Sequence, residues 1–135
     1  MKIALSYKFT GEDYNKLKEF LDKICSILIK KGHEPFGTYT KKEEFDRNKT
    51  PLKGIMLTAL DFIDKSDCHL VIINSQEKSE GMLLEIGYSY AKKKRIIIAI
   101  KKGIKTTWIR EIIPEVIEFE NDKDLLKKLE SYFIP

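Results

Sequence analysis

The chain has 135 residues, of which 42% are hydrophobic and 34% charged, a composition typical of a globular protein with one buried core. No apolar run approaches the ~20 residues that span a bilayer, and the N-terminus lacks the features of a secretory signal, so we expect one cytoplasmic domain over residues 1–135. The net charge of +4 comes from scattered lysines rather than a basic stripe, which argues against a nucleic-acid polymer as partner.

Apolar spacing in the first part of the chain predicts a strand, a helix and a second strand. A short apolar strand over 2–7 precedes an amphipathic helix over 12–31, which Gly32 ends at the C′ position. The segment 33–36 is a weak edge strand, since proline is tolerated at a sheet edge. Residues 38–50 are polar and unpatterned, so we expect a loop there, and loops of that length in compact domains are often functional.

The remaining elements continue the alternation of strand and helix. Pro51 suits the first position of a helix that runs to Lys65. The later elements are a strand over 69–74, a helix over 82–93, a strand over 95–100, a short helix over 106–112, a strand over 115–119 and a helix over 122–133. Alternation of this kind predicts an α/β fold with a parallel sheet and helices on both faces. Five strands at this chain length match the flavodoxin-like doubly wound sheet with the strand order 2-1-3-4-5.

This strand order also predicts where a ligand binds. Strands 1 and 3 are neighbours at the point where the winding reverses, and ligands of open α/β sheets bind over the carboxyl ends of the strands there. Ser6 and Lys8 should border this crevice from the first strand, and Ser79 and Glu85 from the segment after the third. We place Glu85 in the first turn of its helix, where a carboxylate can serve as nucleophile or base.

The familiar nucleotide and hydrolase motifs are absent from the sequence. No G-x-G-x-x-G follows the first strand, and neither a P-loop nor a G-x-S-x-G elbow occurs. Two isolated cysteines and two histidines lack the spacing of metal ligands, so we expect no metal and no cofactor. What remains is a carboxylate beside a helix N-terminus at Ser79 that favours an anion, with Gly81 allowing close approach. Such a site suits a phosphorylated sugar, and a carboxylate nucleophile could cleave its N-glycosidic bond by the logic of retaining glycosidases.

The residues around Glu85 resemble a known enzyme family. The pattern Ser79-x-Gly81-x-x-x-Glu85-Ile-Gly-x-x-x-Ala91, after a strand ending at Asn74, is similar to the nucleoside 2-deoxyribosyltransferase superfamily. Its closest branch is the 2′-deoxynucleoside 5′-monophosphate N-hydrolases, because the transferases tend to have Asp where Ser79 stands. The resemblance implies a hydrolase of nucleoside monophosphates with Glu85 as nucleophile.

The resemblance also implies substrate-binding residues and a homodimer. The residues expected to bind the substrate are Ser6, Tyr7, Lys8, Ser79, Gly81 and Thr106. Thr106 falls where the hydrolases place a phosphate-binding serine that the neighbouring subunit contributes, and Lys8 replaces an arginine. The predicted helix that carries Glu85 is apolar on several sides, so we expect Leu83 or Tyr90 to face a partner subunit. Trp108 should be a partly buried anchor near that contact.

Two observations keep other functions open. The family usually has an aspartate at the position of Ala59, and Asp61 lies about 200° around the helix from it, so it cannot simply substitute. This departure favours a nucleotide-sensing module that binds without turnover, or an altered substrate. The segments 4–7 and 11–13 also resemble TIR-type domains, some of which hydrolyse NAD with an early-helix glutamate. A nucleoside deoxyribosyltransferase and a TIR-like NAD hydrolase are therefore the enzymatic alternatives.

Overall fold

The computed structural model describes residues 1–8, 11–105 and 107–135, which form strands alternating with helices. The strands are β1 (Lys2–Tyr7), β2 (Glu34–Phe36), β3 (Cys68–Ile73), β4 (Arg95–Lys101) and β5 (Glu115–Phe119). The helices are α1 (Tyr14–Lys30), α2 (Lys42–Arg47), α3 (Leu52–Lys65), α4 (Glu80–Ala91), α5 (Thr107–Ile112) and α6 (Asp122–Tyr132). Within these described ranges, none of the helices is long and apolar enough to cross a membrane.

The strands form one parallel sheet, and the predicted order is confirmed. The sheet runs β2-β1-β3-β4-β5, and every neighbouring pair is parallel. Every residue of β3 is buried, as are residues 96–100 of β4, which is the pattern of strands that are covered on both faces. Two central strands buried on both faces, in a parallel sheet whose strands alternate with helices, give the flavodoxin-like α/β fold.

Alternate side chains of the sheet enter two separate hydrophobic layers. Leu70 and Ile72 of β3 pack with α1 and α6 on one face. Val71 and Ile73 pack with Met82 and Ile86 of α4 on the other, next to residues of α5. Helix α3 contacts both β1 and α4, so it also lies on the second face. Helices on both faces are thus confirmed, and the α4 face is the one that carries the predicted crevice.

The segment 38–50, predicted as an irregular loop, contains a 3₁₀ turn at Thr38–Lys41 followed by α2. Tyr39 holds the turn against the core, since it is 2% exposed and its hydroxyl donates to Asp22 Oδ1 at 2.9 Å. Helix α2 buries no residue, and its Lys42–Asp46 pair at 2.6 Å lies on its surface. The prediction was wrong because a helix without a buried face leaves no apolar periodicity in the sequence.

The start of α4 also differs from the prediction and changes the setting of Glu85. Helix α4 begins at Glu80 rather than at residue 82, because the Ser79 side chain caps it by accepting from the Met82 backbone N–H at 3.3 Å. Glu85 is therefore in the second turn of the helix, not the first. Since the effect of the helix dipole fades beyond the first turn, the dipole does not account for an acid at this position.

His69 should make the stability of the fold depend on pH. It is 0% exposed in β3, and burial lowers its pKa from 6.5 to about 4, so the unfolded chain accepts a proton at a higher pH than the folded chain. Stability from this source is fully present above pH 6.5 and is lost as the pH falls toward about 4, by up to about 3 kcal/mol. Urea unfolding of the wild type and of His69→Gln at several pH values measures this loss. Identical pH dependence in the two proteins would rule out His69 as its source.

Candidate active site

A cavity of about 620 Å³ opens over the carboxyl ends of β1 and β3, where the sequence predicts the crevice. All predicted site residues that the structure describes line it, and these are Ser6, Tyr7, Lys8, Ser79, Gly81 and Glu85. Thr106 lies outside the described residues. A smaller cavity of about 180 Å³ shares Lys8 and Ser79 with the first and extends to Leu83 and Trp108. Residues far apart in the chain therefore meet at one concave site.

The carboxylate of Glu85 is held at one oxygen. Ser6 Oγ donates a hydrogen bond to Oε1 at 2.6 Å. Oε2 lies on the side of Gly81, and a Cβ atom at residue 81 would come within 3.9 Å of it. Burial raises the pKa of Glu85, and the hydrogen bond from Ser6 opposes this rise. A partly desolvated carboxylate with one anchored oxygen is suited to attack with the other, and the glycine leaves room for the atom attacked.

Two further residues, which the sequence analysis missed, lie behind Ser6. His69 Nε2 is 2.6 Å from Ser6 Oγ, and His69 Nδ1 is 2.6 Å from Ser89 Oγ. Both residues are 0% exposed. Two signals in the sequence could have identified them. His69 is a polar residue inside an apolar strand, and Ser89 follows Glu85 by four residues, which places both on one side of a helix.

The ammonium of Lys8 forms an ion pair at the rim of the cavity. Lys8 is 8% exposed, and its Nζ lies 2.8 Å from Oε2 of Glu77, whose side chain is 78% exposed. The hydrogen bond from Lys8 holds the pKa of Glu77 below its usual range. Because Glu77 is exposed and Lys8 is not, an anionic group entering the cavity could take the place of the Glu77 carboxylate.

Tyr7 contributes to the edge of the cavity, although its ring points to the opposite face of the sheet. The ring packs edge-on against Phe20 of α1 with a centroid distance of 6.0 Å, and Asn74 Nδ2 donates to its hydroxyl. Burial raises the pKa of Tyr7 to about 12, so the phenol stays neutral at physiological pH. The Tyr7–Asn74 hydrogen bond ties the ends of β1 and β3 together beneath the site.

The position at which the resembling family has an aspartate lies at this cavity. Ala59 is 8% exposed and lines the wall that α3 provides. Asp61 is exposed and pairs with Lys65 at 2.8 Å, so it does not replace the missing acid. Besides Glu85, the acids lining the cavity are Glu77 and Glu80. Among the described residues, no group of three histidine, cysteine or acidic side chains is placed to hold a metal ion.

Large apolar side chains are exposed beside the cavity. Leu83, Leu84 and Tyr90 of α4 are 41%, 62% and 52% exposed. Trp108 is 80% exposed, so it is not buried within its own chain, and its place near a subunit contact stays a prediction. Ile109 of the short helix α5, and Ile113 just after it, point inward instead and pack in the core layer of α4.

Comparisons with known proteins agree with this fold. The family model described as nucleoside 2-deoxyribosyltransferase matches residues 3–121, which favours this family over the TIR-type resemblance. No curated protein matches the chain. Similar solved structures include the CMP N-glycosidase BcmB of Clostridium botulinum, with 18% identity, a TM-score of 0.72, and coverage of 98% of this chain and 99% of that one.

A second similar structure is the 2-deoxyribosyltransferase of the psychrotolerant bacterium Bacillus psychrosaccharolyticus, with 21% identity, a TM-score of 0.65, and coverage of 100% of this chain and 98% of that one. A third is the 2-desoxiribosyltransferase from Leishmania mexicana, with 12% identity, a TM-score of 0.66, and coverage of 96% and 97%. At these identities the structural likeness establishes the fold. The family match over residues 3–121 goes further, and the chain belongs to the nucleoside 2-deoxyribosyltransferase family of enzymes.

Proposed function

We propose that the protein hydrolyses the N-glycosidic bond of nucleoside or deoxynucleoside 5′-monophosphates, with Glu85 as the nucleophile. The observation that carries the proposal is the carboxylate of Glu85, with Oε1 anchored by Ser6 and Oε2 beside Gly81 in the cavity. The likeness to a CMP N-glycosidase supports a monophosphate as substrate.

The reaction proceeds by two displacements at the anomeric carbon. Oε2 of Glu85 attacks C1′, and the C1′–N bond breaks with its electron pair leaving on the base. Water then attacks C1′ of the glycosyl ester, which releases the sugar 5-phosphate and restores the carboxylate. The two protons of that water end on the base nitrogen and on the new hydroxyl group. A second base in place of water would give the transferase reaction, the main enzymatic alternative.

Positive charge and backbone donors near Ser79 support recognition of a phosphate. The N-terminus of α4 presents N–H groups that no helical carbonyl satisfies, and Ser79 stands at its cap. The hydroxyl of Ser79 accepts from the Met82 N–H, so its own proton remains to be donated. Lys8, Lys53 and Lys78 line the same cavity. A phosphate placed here would be held by charge-assisted hydrogen bonds.

Ala59 supports a second candidate, a member of the family that binds nucleotides without cleaving them. The cavity keeps Glu85 and the phosphate-binding elements but lacks a carboxylate on the α3 wall. Incubation with nucleoside monophosphates, free nucleosides and NAD, followed by chromatography for released base, separates the candidates. Binding without release of base across this panel would favour the sensor, and base exchange without hydrolysis would favour the transferase.

Replacement of the nucleophile should abolish base release. Glu85→Gln keeps the shape of the side chain but removes its charge, so we expect a loss of rate on the order of 10⁴-fold or more. Chromatography of released base measures the rate. Glu130→Gln, which changes an exposed acid of α6, is the matched control. Near-full activity of Glu85→Gln would contradict the assignment.

Removal of the Ser79 hydroxyl should weaken the binding of monophosphates. We expect Ser79→Ala to raise KM for them about tenfold, the value of one hydrogen bond to a charged group, with little effect on free nucleosides. The variant also loses a helix cap, and Asn121→Ala, which removes the cap of α6, controls for that loss. An equal rise in KM for phosphorylated and free nucleosides would count against phosphate recognition at Ser79.

The exposed apolar surface of α4 supports the proposal that the protein is a homodimer. A groove of about 640 Å³ between α3 and α4 is lined by Met56, Leu60, Leu83, Leu84 and Tyr88, among others. Single exposed apolar residues are common, whereas a cluster at a groove indicates an interaction site. A second copy of the chain would cover these side chains and could bring Thr106 to the neighbouring cavity.

Light scattering tests the dimer directly. We expect a mass of twice 15.8 kDa at micromolar concentration. Leu84→Lys should reduce it to that of the single chain, because it places a charge in the contact. Ile29→Lys on α1 is the matched control, since Leu84 is 62% and Ile29 61% exposed. A monomeric wild type would refute the dimer and the contribution of Thr106 from a partner.

A further inference from the structure

A continuous chain of buried hydrogen bonds lies behind Glu85. It runs from Ser89 through both ring nitrogens of His69 to Ser6 Oγ, with successive distances of 2.6 Å and 2.6 Å. A third bond of 2.6 Å joins Ser6 Oγ to Glu85 Oε1. Ser6 is 3% exposed, and His69 and Ser89 are 0% exposed. Water therefore has almost no access to these groups, and they must satisfy one another.

With Glu85 ionised and His69 neutral, the few protons available on these side chains determine which group donates in each hydrogen bond. An ionised Glu85 only accepts, so the single hydroxyl proton of Ser6 must point to Oε1. Ser6 Oγ must then accept from His69, whose proton is on Nε2. Burial keeps the imidazole neutral by lowering its pKa to about 4, so Nδ1 carries no proton and accepts from the hydroxyl of Ser89. With Glu85 ionised and the imidazole neutral, only this arrangement satisfies all three bonds.

From this geometry, and resting on the proposed function, we propose that His69 and Ser89 are positioning residues for the nucleophile. They act through Ser6, whose hydroxyl would otherwise rotate among several staggered positions. Because Nε2–H of His69 donates to Ser6 Oγ, the hydroxyl proton of Ser6 stays directed at Oε1 of Glu85. This leaves Oε2 on the side of Gly81. In the other tautomer, Nε2 would accept the proton of Ser6 and take it away from Glu85.

The chain is also compatible with each step of the proposed reaction. When Oε2 bonds to C1′, Oε1 becomes the carbonyl oxygen of the ester and still accepts from Ser6. No proton has to move within the chain during either displacement. The same hydrogen bond stabilises the ionised form of Glu85 and opposes the rise in its pKa that burial causes. The chain therefore affects both the orientation of Glu85 and its ionisation.

Other titratable groups face Glu85 from neighbouring elements and must be kept constant in a test. Those lining the same cavity are Tyr7 and Lys8 of the β1 end, Lys53 of α3, Glu77 and Lys78 of the loop after β3, and Glu80 of α4. Substitutions at His69 and Ser89 leave all of them in place. A change in the titration of Glu85 between these variants and the wild type therefore reports on the chain.

The test compares three variants of residues in the hydrogen-bond chain with one control variant. His69→Leu removes both nitrogens. His69→Gln keeps an N–H donor and a carbonyl acceptor, so it can preserve the direction of the bonds. Ser89→Ala removes the far donor. Ser66→Ala is the control, because Ser66 is 3% exposed, like Ser6. Its hydroxyl donates at 2.8 Å to the backbone carbonyl of Ile63, which is not part of the hydrogen-bond chain.

Activity and NMR provide separate readouts. We expect His69→Leu to lower kcat/KM on the order of 10²-fold, mainly through kcat, because a misplaced nucleophile loses rate at that scale. The acid limb of its pH profile should move up by about one pH unit, because without His69 the Ser6 hydroxyl is no longer directed at Oε1 and its hydrogen bond to the charged form of Glu85 is weakened. His69→Gln should recover most of the rate, Ser89→Ala should have a rate between those of His69→Leu and the wild type, and Ser66→Ala should match the wild type.

NMR provides the second readout. Carbon-13 NMR of the Glu85 carboxyl should show the same order of pKa values, and nitrogen-15 NMR should place the imidazole proton on Nε2.

Several results would overturn the inference. These are an unchanged pH profile in His69→Leu, an equal loss in Ser66→Ala, or a proton on Nδ1 of His69 in the wild type. Base release by the wild type decides the proposed function separately. If the wild type released no base, the proposed function would fail, and the NMR pKa of Glu85 in Ser89→Ala and His69→Gln would still decide whether the chain controls the carboxylate.

Discussion

The pairing of β1 with β3 is the constraint on which the site depends. Ser6 lies opposite Val71 in the register, so Ser6 and His69 point to the same face of the sheet as diagonal neighbours. Helix α4 covers that face with Glu85 and Ser89 one turn apart, close enough for both to reach the strands. A shift of one residue in the pairing would turn one strand's side chains to the other face and break the chain of hydrogen bonds.

Burial affects the two ionisable groups of this chain in opposite directions. Desolvation disfavours charge, so it lowers the pKa of His69 and raises that of Glu85. Ser6 counteracts this effect at Glu85 alone, since its hydrogen bond favours the carboxylate. The hydrogen bond thus favours the charged form of Glu85 at the cavity, with an uncharged imidazole behind it. A neutral histidine costs less in the core than a charged residue would, provided that both ring nitrogens are bonded.

The cavity joins two kinds of surface with different chemistry. The wall from α3 carries the apolar side chains Ile55, Met56 and Ala59 beside Lys53. The opposite side carries Lys8 and the capped start of α4 at Ser79. A nucleotide has the same division, with an uncharged base at one end and a phosphate at the other. This division supports the proposed nucleoside monophosphate substrate, and Ala59 is the position where the protein departs from the pattern of the family it resembles.

Apart from the 3₁₀ turn, α2 and the first residues of α4, the sequence by itself determined the helices and strands, because apolar periodicity is a local pattern. Their alternation determined the parallel sheet and its strand order. The sequence also placed Ser6, Lys8, Ser79, Gly81 and Glu85 at one crevice, since the carboxyl ends of neighbouring parallel strands share an edge. Family resemblance identified Glu85 as the nucleophile, which remains a proposal.

Only the tertiary structure decided how Glu85 is held. The bonds among Ser6, His69 and Ser89 depend on strand register and on the rotation of α4 about its axis, and no local pattern encodes either of them. The same applies to Tyr39, whose burial orders residues 38–41 next to a helix with no apolar face. Local patterns report which side of an element is buried, whereas contacts between residues distant in sequence are fixed by how the elements pack.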